Sequence, residues 1–362
     1  MTLSLATAGE SHGPGLVGIL SGLPAGLRLE RDAIDRDLAR RREGRGRSPR
    51  QQIESDEVEI LAGLRHGLTL GTPLALLIRN RDHESWTWGM SPWPPEGEPS
   101  GKGTSAVTLP RPGHADLPGA LKFGHADVRN ALERASARHT AVDVAAGSVA
   151  KALLAEIGVT VRGRVLEIGG ETSEEAWKRA TDEARADRDT IGGVVEVVAE
   201  GAPPGLGTYA ERAGRLDARL GASLLGIPAV KGVEIGDGFA LARVRGSEAH
   251  DEIGPGLRRA TNRAGGLEAG VTNGEDVVVR AAMKPLSTLM RPLRSVDLAT
   301  GEPGEALVER SDVQAVEALA VVAEAAVAWE LARAAREKFG GDALADFTAA
   351  HRAYVERIDW RR

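Results

Sequence analysis

The sequence contains no cysteine, few aromatic residues and no long uncharged apolar run. Without cysteine the chain can form no disulfide, no thiolate zinc site and no cysteine nucleophile, which is compatible with a reducing cytoplasm. Aromatic residues make up only 3% of the chain, so no ladder of rings is present for stacking single-stranded nucleic acid. No run approaches the ~18 apolar residues of a membrane span, and the N-terminus does not have the pattern of a signal peptide. We therefore expect a cytoplasmic protein whose partners include neither membrane nor nucleic acid.

Glycine is over-represented, at 45 of 362 residues, which is about 12% where ~7% is usual. This excess indicates many turns, or many places where the backbone closely approaches a ligand. Hydrophobic residues make up 42% of the chain, enough for a core of Leu, Val, Ile and Ala. The net charge of −6 argues against a polyanion-binding surface that extends over the whole chain.

The apolar patterns do not alternate as regular strand–helix–strand units. They predict strands at 3–8, 16–20, 74–78, 159–168, 192–200 and 276–283, with a strand and turn at 229–238. They predict helices at 31–42, about 125–156, 173–188 and 311–336, and a shorter C-terminal helix. We therefore expect an α+β fold with antiparallel sheets and long helices, as one intertwined domain spanning residues 1–362. A long loop at 87–113 is expected to be functional or mobile.

Two histidines lie in turns rich in glycine. His12 belongs to Gly9-Glu10-Ser11-His12-Gly13, and His114 belongs to Arg111-Pro112-Gly113-His114-Ala115-Asp116. Imidazole titrates near neutrality, so either ring could accept a proton or donate one to a leaving phosphate. The alternative is that both are solvent-facing turn residues.

Arginine is concentrated between residues 36 and 50. The segment has a local net charge of +5 and contains seven arginines: Arg36, Arg40, Arg41, Arg42, Arg45, Arg47 and Arg50. Guanidinium groups bind phosphate and carboxylate bidentately, so the cluster suits an anionic ligand. The alternative is a solvated helix end, where cations also interact favourably with the helix dipole.

Three weaker signals accompany these motifs. Arg134 and Arg138 are four apart on the predicted helix 125–156, so they are expected on one face, directed at a shared anion or at solvent. Asp312 is predicted to be the first helical residue after a Ser311 cap. The helix dipole favours a carboxylate at this position, so Asp312 is either a functional group or an ordinary residue of a helix start. The turn 284–288 supplies a cation and two hydroxyl groups. No nucleotide-binding fingerprint and no metal-ligand spacing is evident, so the residues alone indicate an anion-handling enzyme.

The ordered set of motifs resembles chorismate synthase over nearly the whole chain. The segments that carry the resemblance are Gly9–Pro14, Ala39–Arg47, Arg111–Asp116, Glu133–Arg138, Lys231–Gly236, Arg263–Gly266, Lys284-Pro285 and Glu309–Asp312. The resemblance implies a β-α-β sandwich, a homotetramer, and 1,4-elimination of phosphate from 5-enolpyruvylshikimate 3-phosphate to give chorismate. It also implies dependence on reduced FMN without net redox change, with an external reductant and NADPH as a possible indirect one.

The resemblance also implies site residues. The catalytic residues would be His12, His114 and Asp312. The substrate-binding residues would be Arg41, Arg47, Arg111, Arg138 and Arg310. The cofactor-binding residues would be Arg41, Arg47, Arg134, Ala135, Ser136, Pro228, Ala229, Ala269, Lys284, Pro285, Leu286, Ser287, Thr288 and Arg310, of which Arg41 and Arg47 are the positions assigned to NADP.

The sequence departs from the family pattern at three places. Ser48-Pro49 stands where the family continues Gly-Arg, Pro228 replaces Asn or Gln, and Ala269 replaces Gly. Pro228 removes a side-chain amide and a backbone N–H from the proposed flavin site. An alternative function remains open from the sequence: a non-catalytic protein that binds RNA or another polyanion through the Arg36–Arg50 stretch, with the steep salt dependence of such binding.

Overall fold

The computed structural model describes residues 2–47, 56–309 and 311–358. Its strands are β1 Ser4–Ala8, β2 Gly15–Ser21, β3 Val58–Ala62, β4 Leu64–Arg65, β5 Leu68–Thr69, β6 Leu74–Arg79, β7 Thr160–Ile168, β8 Gly193–Glu200, β9 Val230–Ile235, β10 Leu267–Glu268, β11 Val271–Thr272, β12 Val277–Met283, β13 Arg294–Val296 and β14 Pro303–Glu305. Its α-helices are α1 Arg31–Arg42, α2 Asp116–Phe123, α3 Arg129–Ala135, α4 Thr140–Ala155, α5 Glu174–Ala186, α6 Leu216–Leu225, α7 Gly246–Ala249, α8 Val316–Phe339 and α9 Leu344–Ile358.

Two antiparallel sheets of four strands form the outer layers. The first has the order β1-β2-β6-β3, and the second has the order β7-β8-β12-β9. The chain begins with an antiparallel β1–β2 hairpin in which Ala6 lies opposite Ile19, as predicted. In β2 and β12 apolar side chains alternate between buried and less buried positions, so each sheet turns one face inward.

Helices α1, α4, α6 and α8 lie between the sheets. Helix α4 packs on the first sheet, α8 packs on the second, and the two helices pack on each other. A Cβ atom built on Gly147 would lie 2.3 Å from the Cβ of Ala325, so the absence of a side chain lets α4 approach α8 this closely. One hydrophobic core includes side chains from both sheets and from these helices. The predicted α+β sandwich of antiparallel sheets and long helices is confirmed, whereas the single domain over residues 1–362 stays a prediction.

The predicted helix at 125–156 is wrong, because the segment is broken into three pieces. Helix α3 ends at Ala135, Ser136 is extended at φ −62° and ψ 141°, and a short 3-10 turn at 137–139 leads into α4. The Ser136 hydroxyl accepts a hydrogen bond from the backbone N–H of Arg138, so serine starts a new turn here instead of continuing a helix. Arg134 and Arg138 therefore do not share a helix face.

The predicted start of the last long helix at Ser311 is also wrong. Helix α8 begins at Val316, whose backbone N–H donates to the side-chain oxygen of Gln314 at 2.6 Å. Gln314 thus provides the local capping contact that was predicted for Ser311. Asp312 precedes the helix by four residues and is not in its first turn. No helix in the described part of the chain is long and apolar enough to span a membrane.

Candidate active site

Most of the residues that the sequence singled out surround one cavity of about 550 Å³. This volume lies within the ~300–1,000 Å³ typical of small-molecule sites. Its walls come from the turn after β1, the end of α1, the turn 111–115, the break between α3 and α4, the loop after β12, and the start of α8. Predicted site residues that line it are His12, Arg41, Arg47, Arg111, His114, Ala135, Ser136, Arg138, Pro228, Ala229, Lys284, Leu286, Ser287, Thr288 and Asp312.

Four predicted residues are not part of this wall as described. The guanidinium of Arg134 binds β1, donating to the Thr7 hydroxyl at 2.8 Å. Pro285 belongs to the loop after β12 but does not line the cavity. Ala269 is exposed in the β10–β11 turn at φ +51°, a left-handed conformation that explains the family preference for glycine. Arg310 lies outside the described residues, as does the Ser48-Pro49 departure.

His12 is buried and held by a carboxylate. Its backbone N–H and its ring Nδ1 both lie 2.9 Å from carboxylate oxygens of Glu133. Burial opposes ionisation of Glu133, but hydrogen bonds from His12 outweigh this and lower the pKa of the carboxyl below its usual range. An ionised Glu133 can only accept, so Nδ1 of His12 carries the hydrogen. The alternative of a solvent-facing His12 is therefore wrong.

His114 has a similar partner from its own turn. Its Nδ1 is hydrogen-bonded to Asp116, which also accepts from the backbone N–H of Arg111 at 3.0 Å and from Arg111 Nε at 2.8 Å. Burial opposes ionisation of Asp116, but the bonds from His114 and Arg111 hold the pKa of its carboxyl well below the ordinary value. The carboxylate thus fixes the ring orientation and leaves Nε2 as the atom available for proton transfer.

Two arginines that line the cavity meet at a buried aspartate, Asp56, which does not itself line it. Arg41 Nη1 lies 3.1 Å from Asp56 Oδ2, and Arg138 donates to Asp56 Oδ1. Arg138 Nε also donates to Asn80 at 2.9 Å. Although burial opposes ionisation of Asp56, the two guanidinium charges lower the pKa of its carboxyl. Burial lowers the pKa of Arg41 to about 10, so it remains a fixed cation at neutral pH.

Arg47 and Asp312 form an ion pair at the cavity wall, with Nη1 and Oδ2 2.9 Å apart. The Nε of Arg47 is buried and has no hydrogen-bond partner among the described residues, which do not include 48–55. Such an orphan donor is costly unless a ligand atom satisfies it. Arg47 is therefore suited to bind an oxyanion in the cavity.

The loop after β12 closes another side. Thr288 accepts from Arg111 Nη1 at 2.9 Å, and Lys284 donates to the carbonyl of Gly113 at 2.9 Å. Burial and the nearby charge of Lys231 lower the pKa of Lys284. These contacts join the loop to the His114 turn, so the two segments are positioned together.

Small and apolar side chains cover the remaining wall. They are Ala135, Ile227, Ala229, Met283, Leu286, Ala315, Ala318, Leu319 and Val322. Such a surface suits a largely apolar ring system, while the arginines of the same cavity suit anionic groups. The chemistry of the lining therefore fits a flavin together with an anionic substrate.

Two further arginines of this stretch, Arg40 and Arg45, form ion pairs with carboxylates of the protein. Arg40 donates two 2.9 Å hydrogen bonds to Glu324, which also accepts from Lys151 at 2.6 Å, and Arg40 donates to Asp37. Arg45 pairs with Glu317 and Glu174. Nothing in these contacts favours a polyanion-binding surface over residues 36–50, of which 48–50 lie outside the described residues.

The partners of the histidines were missed as functional residues. Asp116 and Glu133 belong to two of the motifs identified in the sequence, Arg111–Asp116 and Glu133–Arg138. The neighbouring residues in each motif do not indicate that these carboxylates contact an imidazole. Asp56 carried no sequence signal, because its role depends on arginines 15 and 82 positions away in the chain. His139 also lines the cavity and was not assigned. No cluster of His, Asp or Glu that could hold a metal ion occurs among residues 2–47, 56–309 and 311–358.

Comparison with known proteins agrees with this arrangement. The sequence model of the chorismate synthase family matches residues 3–335. Curated chorismate synthases of Rubrobacter xylanophilus and Symbiobacterium thermophilum are each 53% identical, over 99% and 97% of this chain and 98% of each relative. A crystal structure of chorismate synthase, 35% identical, matches with a TM-score of 0.78 over 99% of this chain and 98% of that one. The chain therefore belongs to the chorismate synthase family of carbon–oxygen lyases.

Proposed function

We propose that the cavity is the active site for the 1,4-elimination of phosphate from 5-enolpyruvylshikimate 3-phosphate, which yields chorismate. The carbon–oxygen bond to phosphate breaks, a ring C–H bond is lost, and a new double bond forms. The observation that carries the proposal is that two histidines, each hydrogen-bonded through Nδ1 to a buried carboxylate, face the same cavity as four arginines.

The arginines bind and orient the substrate. It carries a phosphate and two carboxylates, and the proposed donors are Arg41, Arg47, Arg111 and Arg138, with Arg310 assigned from the family resemblance. Arg111 is itself fixed by Asp116, Thr288 and Glu309. Guanidinium groups held in this way select an anion without having to reorganise when it binds.

The proton-handling groups are His12, His114 and Asp312. Each imidazole has Nδ1 engaged by a carboxylate, so Nε2 is the atom that holds or moves a proton. Asp312 forms an ion pair with Arg47 at the cavity wall, with Oδ2 2.9 Å from Nη1. His12 as a whole residue is only 8% exposed, so the cavity walls exclude bulk water from most of its ring.

A flavin is the cofactor expected for this family, and we propose reduced FMN in particular. When bound, reduced flavin supplies electron density transiently to a cleavage for which a general base alone is insufficient, because the hydrogen lost is not acidic. Residues 135–136, 228–229 and 284–288 would hold it against the apolar wall, and Arg134 and Ala269 are proposed contacts from the resemblance. Pro228 offers no side-chain amide there, so Ser136 and Ser287 are the nearby polar groups.

We further propose a cytoplasmic homotetramer that relies on an external flavin reductant, with NADPH as an indirect source of electrons. Arg41 and Arg47, assigned to NADP in the family, already line the substrate cavity. The purified chain is therefore expected to need reduced FMN rather than NADPH alone.

An anaerobic assay tests the proposal. Photoreduced FMN and the phosphorylated substrate are mixed with the protein, and chorismate and inorganic phosphate are measured. Equal amounts of both products are expected, with no net oxidation of flavin. Absence of both, combined with salt-sensitive binding to RNA, would instead favour the polyanion-binding alternative.

A further inference from the structure

The surroundings of His12 extend beyond its bond to Glu133. The indole of Trp86 stacks on the imidazole with ring centroids 4.0 Å apart and planes 21° from parallel. Asp82 Oδ2 lies 3.9 Å from Nε2 of His12 and accepts from the Trp86 indole N–H at 3.2 Å. The His12 ring is thus hydrogen-bonded at Nδ1 and stacked on one face, with the Asp82 carboxylate near Nε2 but beyond hydrogen-bond distance.

Glu133 makes the larger share of these contacts. Besides the two contacts of its carboxylate with His12, its backbone carbonyl accepts from the N–H of Ser11 at 3.1 Å. The Glu133 side chain is 1% exposed, and Arg129, one turn earlier on α3, donates to it at 3.2 Å. Arg129 also lies over the Trp86 ring at 5.0 Å, so α3 supports both groups that hold the imidazole.

We infer that Glu133 is a positioning residue for His12: with Trp86 as a stacking support, it fixes Nδ1–H and directs Nε2 to the reacting substrate. This inference rests on the proposed function for the step that His12 performs. Glu133 itself does not line the cavity, so it would act through His12. A carboxylate that orients a histidine typically contributes about 10–100-fold where the same arrangement holds a metal ligand.

The charges that face His12 predict the direction of its pH response. Glu133 and Asp82 are the anions near the ring. Each is paired with a cation: Arg129 binds Glu133, and Lys102 binds Asp82 at 3.0 Å. His83 donates a hydrogen bond to the backbone carbonyl of His12. Removing the Glu133 charge destabilises the imidazolium. We therefore expect the pH dependence of turnover in Glu133→Gln to lie at lower pH than in the wild-type protein, whether His12 acts as an acid or as a base.

The experiment compares Glu133→Gln with Glu84→Gln, an exposed glutamate from the same 81–85 turn as Asp82. In Glu133→Gln we expect kcat to fall about 10–100-fold, KM for the phosphorylated substrate to change less than ~3-fold, and the kcat–pH profile to move to lower pH. Glu84→Gln should leave all three unchanged. A loss of kcat with an unmoved pH profile would reduce Glu133 to a structural role and overturn the inference.

A second readout does not depend on turnover. In protein labelled with ¹⁵N-histidine, the His12 resonances are assigned by their loss in His12→Ala and titrated by NMR. We expect the neutral ring to carry its hydrogen on Nδ1 and its titration to shift to lower pH in Glu133→Gln. Asp82→Asn removes the other anion near the ring and should shift the titration in the same direction. This variant replaces Glu133→Gln if Glu133→Gln does not fold. Unchanged titration would overturn the inference, whereas a wild-type protein that makes no chorismate would overturn only the proposed function.

Discussion

Asp116 binds both the Nδ1 of His114 and the guanidinium of Arg111, five residues earlier in the chain. One buried carboxylate therefore positions a proton-transfer group and an anion-binding group together. Arg111 Nη2 lies 3.2 Å from the His114 ring nitrogen, so His114 has a cation beside it, whereas His12 lies between two carboxylates. The two histidines differ in their electrostatic surroundings, which suits groups with different roles in one reaction.

Replacing His114 by Ala should lower kcat by about 10²–10⁴-fold, the usual loss for a general acid or base. The measurement is the initial rate of chorismate formation with photoreduced FMN. His125, a partly exposed histidine that does not line the cavity, provides the matched control, since His125→Ala is expected to retain wild-type turnover. Wild-type turnover in His114→Ala would remove this residue from the mechanism.

Replacing Asp116 by Asn should lower kcat by about 10–100-fold. The neutral amide lacks the negative charge that holds the Nδ1–H of His114 and the two guanidinium donors of Arg111. Substrate binding should weaken as well, since Arg111 loses its partner. The two effects are separated by measuring kcat and KM across pH. A variant that changes only KM would show that Asp116 serves Arg111 and not His114.

Arg47→Ala should mainly raise KM for the phosphorylated substrate, by about 10–100-fold, the equivalent of a charged hydrogen bond of ~1.5–3 kcal/mol. Arg45→Ala is the control from the same stretch, because Arg45 pairs with Glu317 and Glu174 and does not line the cavity. Its KM should stay near the wild-type value. An unchanged KM in Arg47→Ala would leave the Arg47–Asp312 pair as a structural contact.

Glu324→Gln should destabilise the fold by about 1.5–3 kcal/mol, because Arg40 and Lys151 lose one charged hydrogen-bond partner but keep Asp37. Thermal unfolding of the variant measures this loss. Glu175→Gln on exposed α5 removes the same charge and should change the melting temperature little. A small effect in both variants would show that the cluster around Glu324 is readily rehydrated.

Stability should fall as the solution is acidified. The pKa values of Asp56, Asp116, Glu133 and Glu324 are all lowered in the folded protein by cationic or hydrogen-bonding partners that outweigh burial. The unfolded chain therefore binds more protons, and the stability these groups provide is complete above their ordinary values of 3.8 and 4.5. Melting temperatures between pH 3 and pH 7 should decline below about pH 4.5; a flat profile would contradict the assignment of these pKa directions.

Local patterns in the sequence determined much of the fold. Helix α1 begins and ends where its pattern predicted, and the first hairpin follows from two apolar segments around a glycine turn. The break at Ser136 could not be read from an alanine-rich segment with strong helix propensity, because it depends on one hydroxyl accepting from the N–H of Arg138. The start of α8 depends in the same way on Gln314.

The sequence by itself determined which chemical groups are available: imidazoles in glycine-rich turns, a concentration of arginines, and motifs typical of one family. Only the tertiary structure decided their pairing. Glu133 meets His12 across 121 positions of the chain, and Asp56 lies between arginines from two different segments. Such contacts are fixed by the packing of helices between two sheets, since that packing brings together side chains whose separation along the chain carries no information about their distance in space.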